Sequence, residues 1–78
     1  MEELILRRFG QRVAYLRQAR RWTQIELAQR TGLHRSYIAG VEAGRRNISF
    51  RNLLRLAHGF EIAPVQLFTD FRSMDRLN

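Results

Sequence analysis

Residues 23–42 read TQIELAQRTGLHRSYIAGVE, and this stretch decides the fold. Thr23, with Glu26 three positions on, makes a capping box: the hydroxyl accepts from the Glu26 amide and the carboxylate reaches back to the Thr23 amide. Trp22 and Leu27 flank the cap at the spacing of a hydrophobic staple. Ala28 lets a second helix come close. Gly32 stands where a helix ending near Arg30 or Thr31 needs a left-handed residue. A second helix is expected from about Arg35 to Ala43, with Gly44 stopping it.

The two sides of that second helix differ. At about 100° per residue, Tyr37, Ile38 and Val41 share one side. Arg35, Ser36, Ala39, Gly40 and Ala43 share the other. An ordinary solvated helix carries several charged side chains on its outer face. This one offers a long donor, a hydroxyl and three small residues. A helix so bare can approach the base edges of a duplex, with Arg35 near its leading end to reach them.

Upstream, residues 2 to about 20 form a helix with Leu6, Phe9, Val13 and Leu16 in one apolar stripe. Gly10 inside it costs about 1 kcal/mol against Ala and is a place for close packing. A basic amphipathic helix can also lie on a membrane, but this stripe has a core to join. Downstream, Gly44-Arg45-Arg46-Asn47 is a basic loop. Ser49 caps a fourth helix, about Phe50 to His58, closed by Gly59, with Leu53, Leu54, Leu56 and Ala57 inward. Pro64 opens a fifth, about 64–71, where its missing N–H is harmless. A polar tail begins at Ser73. The expected architecture is all-α, a compact five-helix bundle forming one domain over residues 1–78.

Composition narrows the partners. The chain has 78 residues, formal net charge +7 and a pI near 11.6, and its 14 basic residues are all Arg. A domain this basic is expected to meet a polyanion, and Arg forks bidentately onto phosphate and guanine where Lys cannot. There is no cysteine, so disulfides and thiolate metal sites are excluded. Two distant histidines, His34 and His58, make no metal site. No cofactor or metal is expected, and no nucleophile–base pair or glycine-rich phosphate loop suggests an enzyme. The start, MEELILRRFG, lacks the apolar core of a signal peptide, and no run approaches the roughly 20 apolar residues of a membrane span. A cytoplasmic location is the expectation. So small a domain buries only about 60–65% of its unfolded surface, and dimerisation would add stability.

Several of these residues also carry a family resemblance. Gln24, Ala28, Gly32, Leu33, Ile38 and Glu42 fall at the spacings of the phage-repressor-like (Cro/cI, or XRE) helix-turn-helix family, over roughly residues 9–71. The runs Arg35-Ser36-Tyr37-Ile38, Gly40-Val41-Glu42 and Arg46-Asn47-Ile48-Ser49 resemble the controller proteins of restriction–modification systems. The resemblance implies a lambda-repressor-like domain whose second helix, the recognition helix, enters the major groove. It implies a homodimer on double-stranded DNA, and regulation of an endonuclease gene and of the protein's own gene. A phage-type repressor or an antitoxin of the same fold competes with that reading. A protein-interaction adaptor is a further alternative. No small-molecule effector is expected, so control would come from protein concentration.

The expected roles follow. Arg35 bonds guanine O6 and N7, or else a phosphate. Ser36 bonds a base or a phosphate. Tyr37 is either core or a hydroxyl on the DNA backbone; the controller resemblance favours DNA for Arg35, Ser36 and Tyr37 together. Ala39 lies on the bare ridge. Gln24 opens the first motif helix, where the family anchors a phosphate and where a positive helix end suits an anion. Thr23 is a cap with a phosphate in reach. Arg46, Asn47 and Ser49 grip the backbone beside each half-site, with Arg45 and Arg51 weaker candidates. By resemblance, Glu42 pairs with Arg17. His34 departs from the family's usual Ser, Asp or Asn cap, and Ala63 is also a weak cap. Ile62, Val65, Phe68 and Phe71 are more apolar than a short terminal helix needs, and form the expected dimer surface unless they only close the core.

Overall fold

Helix α1 (Glu2–Ala19) contributes Phe9, Val13 and Leu16 to the core, at the expected spacing. Its Gly10 is buried against α3 (Arg35–Glu42). An added Cβ there would fall on the Val41 carbonyl oxygen and lie 2.6 Å from that of Glu42. The glycine that weakens α1 is therefore what lets α3 approach it.

Helix α2 (Gln24–Thr31) starts as the capping box requires. Thr23 Oγ1 accepts from the Glu26 amide at 3.0 Å, and Glu26 Oε1 accepts from the Thr23 amide at 2.9 Å. Gly32 ends it at φ 75°. Leu27 is fully buried, whereas Ile25 is 53% exposed. It lies two residues before Leu27 and so faces away from it. Trp22 stacks flat on Phe60, centroids 5.9 Å apart, and ties the α1–α2 turn to the helix that carries Phe60.

Helix α4 (Phe50–Phe60) is capped by Ser49, whose Oγ accepts from the Asn52 amide at 3.1 Å. It runs past Gly59 and stops at Glu61, which takes the left-handed turn at φ 58°. Gly59 is instead a packing residue, since a Cβ would meet Thr31 Cγ2 at 2.6 Å. Leu56 and Ala57 are buried as expected, but Leu54 is 41% exposed, on the side of Phe50 four residues earlier.

The fifth α-helix is not there. Residues Pro64–Phe71 wind as a 3-10 helix, so the chain has four α-helices and one 3-10 helix among the described residues. Ala63 offers no side chain to cap an α-helix. The Gln66 amide bonds the Ala63 carbonyl three residues back at 2.9 Å, and Gln66 Oε1 accepts from the Ala63 amide at 2.9 Å. One buried anchor, Leu67, holds this segment to the core.

This structure is a computed structural model and describes residues 1–71, with side chains through Phe68. The tail expected from Ser73 lies outside the described residues. Those residues are all-helical, without a strand, and no helix among them is long and apolar enough to cross a membrane. Val13, Leu27, Ile38, Val41, Leu56, Phe60 and Leu67, drawn from every element, are the most deeply buried.

Candidate nucleic-acid interface

The outer ridge of α3 is open at both ends. Arg35, Ser36 and Ala43 are exposed and Ala39 is half-buried. Among the described residues Arg35 makes no ion pair, the Arg17–Glu42 pair being the one present. His34 is exposed at the N-cap with extended backbone, and its side chain makes no capping bond. The first amides of α3 are thus left without a side-chain acceptor. Beside them lies an open groove of about 380 Å³, floored by Ile25, Ala28 and Leu33 and rimmed by Gln29, His34 and Arg35.

Gly40 is not part of the open ridge. It is buried under Arg46, whose Cγ would stand 2.6 Å from a Cβ on Gly40. The Arg46 guanidinium carbon lies 5.4 Å from the Tyr37 ring centre. The arginine after α3 therefore folds back across it, with its stem on a glycine and its charge at an aromatic face. Tyr37 answers to both of its alternatives. Its ring packs half-buried on the core, and its hydroxyl reaches the surface, donating to the Asn47 carbonyl at 3.4 Å. Asn47 Oδ1 accepts from the Ile48 amide at 3.1 Å, which shapes the loop entering α4.

Behind the ridge sits a polar node. Glu42 ends α3 with a side chain only 8% exposed. Arg17 of α1 grips it with two donors, Nε at 2.7 Å and Nη2 at 3.0 Å, and gives Nη1 to the Trp22 carbonyl at 2.8 Å. The bond to Glu42 raises the Arg17 pKa, against the lowering effect of burial. Gln24 Nε2 donates to the same carboxylate at 3.0 Å. A carboxylate only accepts, so the amide must face it with its NH₂ end. The Gln24 side chain, expected at a phosphate, gives one of its two N–H donors to Glu42, and its backbone amide stays at the helix end. The acid in this region is thus neutralised within the fold.

At the far side, Val65 is 70% exposed and Phe68 38% exposed, with the Phe68 ring 5.6 Å from that of Phe9. Ile62 is half-buried and packs on the core. The Phe71 side chain lies outside the described residues. Phe50, at 75% exposure, has no counterpart among the expected surface residues. Among the described residues no group of His, Asp or Glu is arranged to hold a metal.

Residues 13–67 match the helix-turn-helix (HTH_3) family model. The chain belongs to the helix-turn-helix family. A relative, control protein C.BamHI of Bacillus amyloliquefaciens, is 34% identical over 67 residues, covering 85% of this chain and 82% of that protein. A match to a hypothetical transcription factor of Neisseria meningitidis is 41% identical but covers 43% of that protein. The restriction–modification controller C.AhdI of Aeromonas hydrophila superposes with a TM-score of 0.82 and 48% identity, over 83% of this chain and 98% of that one. The controller C.Esp1396I bound to a 19-base-pair DNA duplex superposes with a TM-score of 0.77 and 26% identity, over 94% and 95% of the two chains.

Proposed function

We propose that this chain is a sequence-specific DNA-binding regulator of transcription, active in the cytoplasm as a homodimer, and the controller of a restriction–modification system. The observation that carries this reading is the open ridge of α3, with Arg35 at its tip in no ion pair among the described residues and the Glu42 carboxylate taken up by Arg17 and Gln24. The likeness to C.BamHI and C.AhdI, both named as controllers, and to a controller bound to a duplex, supports it.

In this reading Arg35 donates twice to guanine O6 and N7 in the major groove, and Ser36 bonds a base or phosphate beside it. Ala39 keeps the helix axis close to the base edges. The Thr23–Gln24 end of α2 receives a phosphate on its backbone amides. Arg46, Asn47, Ser49 and the Tyr37 hydroxyl hold the flanking backbone, fixing register without reading sequence. A second copy covers Val65 and Phe68, with Ile62 and Phe71 at the edge of that contact. Two recognition helices then enter successive major grooves about 34 Å apart.

The test is selection of bound fragments from random duplexes, followed by titration at several salt concentrations. The expected product is a pseudo-palindrome with half-sites roughly 10 base pairs apart, bound at about 10⁻⁸ M or tighter. The log–log salt slope should approach about −0.9 per phosphate contacted. Failure to enrich any sequence, with a shallow salt slope, removes the reading. Binding sites upstream of an endonuclease gene and of the protein's own gene would mark the controller role; sites confined elsewhere would remove that part alone.

A further inference from the structure

Gln24 sits at the first position of α2, and its side-chain amide spans to the last residue of α3. Glu42 receives three donors: two from Arg17 and one from Gln24. Arg17 also holds the carbonyl of Trp22, just before the α2 cap. Three segments therefore converge on one nearly buried carboxylate: α1, the start of α2 and the end of α3. The opposite ends of the motif have their own restraint, since Gly32 fixes the turn between α2 and α3 at φ 75°. A turn by itself is a hinge. Closing the two free ends through Gln24 and Glu42 makes the pair a triangle, with the angle between the helices set.

We propose that Gln24 is a positioning residue for base readout: its side chain acts through Glu42 to hold α3 at the angle from which Arg35 reaches the bases, and does not itself grip the DNA backbone. This rests on the DNA-binding reading above. The physical reason is that phosphate contacts at the start of α2 and base contacts along α3 belong to different helices. They can be satisfied together only if the angle between those helices is fixed in advance. Errors of about 1 Å in such a constellation are enough to lose it. On its other side α3 is seated closely on α1, where Gly10 lies against the Val41 and Glu42 carbonyls.

The experiment uses Gln24→Met in the full chain, which keeps the length of the side chain and removes the donor. Cognate duplex from the selection above and random duplex are titrated across a salt series. The expected result is a fall of about tenfold in the cognate-to-random ratio, within the range of indirect coupling, with the salt slope unchanged. A slope shallower by about 0.9, with equal losses on both duplexes, would mean that the side chain holds a phosphate and would overturn the proposal. An unchanged ratio would also overturn it. Residual dipolar couplings of the free protein supply the second measurement. A change in the α2–α3 angle, or averaging of it, is expected in Gln24→Met; the wild-type angle retained would overturn the proposal. If the wild-type protein selects no sequence, the functional reading fails, and the couplings still decide the role of Gln24.

Discussion

Arg17 and Glu42, 25 residues apart, meet through two near-parallel hydrogen bonds of 2.7 and 3.0 Å. Each partner is mostly screened from solvent, at 14% and 8% exposure. Charge pairs at the surface contribute little, about 0–1 kcal/mol. This one belongs to the other class, in which removing one member strands a desolvated charge.

Glu42→Ala leaves the Arg17 fork and the Gln24 amide without their acceptor. The expected loss is about 3–5 kcal/mol, which in so small a domain lowers the melting temperature by more than about 10 °C. Replacing both members, as Arg17→Met with Glu42→Met, removes the stranded charge and should cost less than Glu42→Ala alone. Thermal unfolding followed by circular dichroism compares the two. A double variant as unstable as the single one would mean that the pair adds net stability beyond avoiding a bare charge.

Gly10→Ala separates local propensity from packing. In an isolated helix the change stabilises by about 1 kcal/mol. Here the new methyl meets backbone oxygens of α3, which cannot rotate away as a side chain would. Overpacking of that kind costs about 1–3 kcal/mol, and a net loss of stability is expected in urea unfolding. A gain would show that α1 and α3 can part without penalty.

Glu61 turns the chain at φ 58°, a left-handed conformation that costs a residue with a side chain roughly 1–2 kcal/mol. Glycine avoids that strain but loses about 0.5–1 kcal/mol of backbone entropy on folding. Glu61→Gly should therefore raise the urea midpoint by the equivalent of about 0.5–1 kcal/mol with the m-value unchanged. A lower midpoint would mean that the Glu61 side chain stabilises the C-terminus of α4 by more than the strain it carries.

That turn also shows where the sequence stopped being legible. Caps and left-handed glycines speak locally, so Thr23, Glu26, Gly32 and Ser49 could be assigned from spacing alone. The core stripe of α1 was equally plain. Gly59 reads as a terminator in the sequence, because a glycine at a helix end and a glycine at a tight crossing are written alike. Only the position of Thr31 against it distinguishes the two. The switch from α to 3-10 winding after Ala63 depends on which carbonyl the Gln66 amide finds, and that choice leaves no trace in hydrophobic pattern. Arg46 lying over Gly40, and Gln24 bound to Glu42, are contacts between residues 6 and 18 positions apart, and no helical period reports them.

Arg35 and Arg46 have the same chemistry and should fail differently. Arg35 projects from the first turn of α3, exposed and in no ion pair among the described residues, so a bidentate guanine contact is open to it. Arg35→Ala should cost about 1–3 kcal/mol on the selected duplex and relax preference at one base position. Arg46 already rests on Gly40 and Tyr37, so its guanidinium is carried to the edge of the ridge on a short tether. Such a group meets the backbone more readily than a base edge. Arg46→Ala should weaken cognate and random duplexes alike and make the salt slope shallower by about 0.9. Paired titrations on both duplexes test the assignment. Loss of base preference in Arg46→Ala, with the slope intact, would place sequence readout on the loop after α3 as well as on the helix.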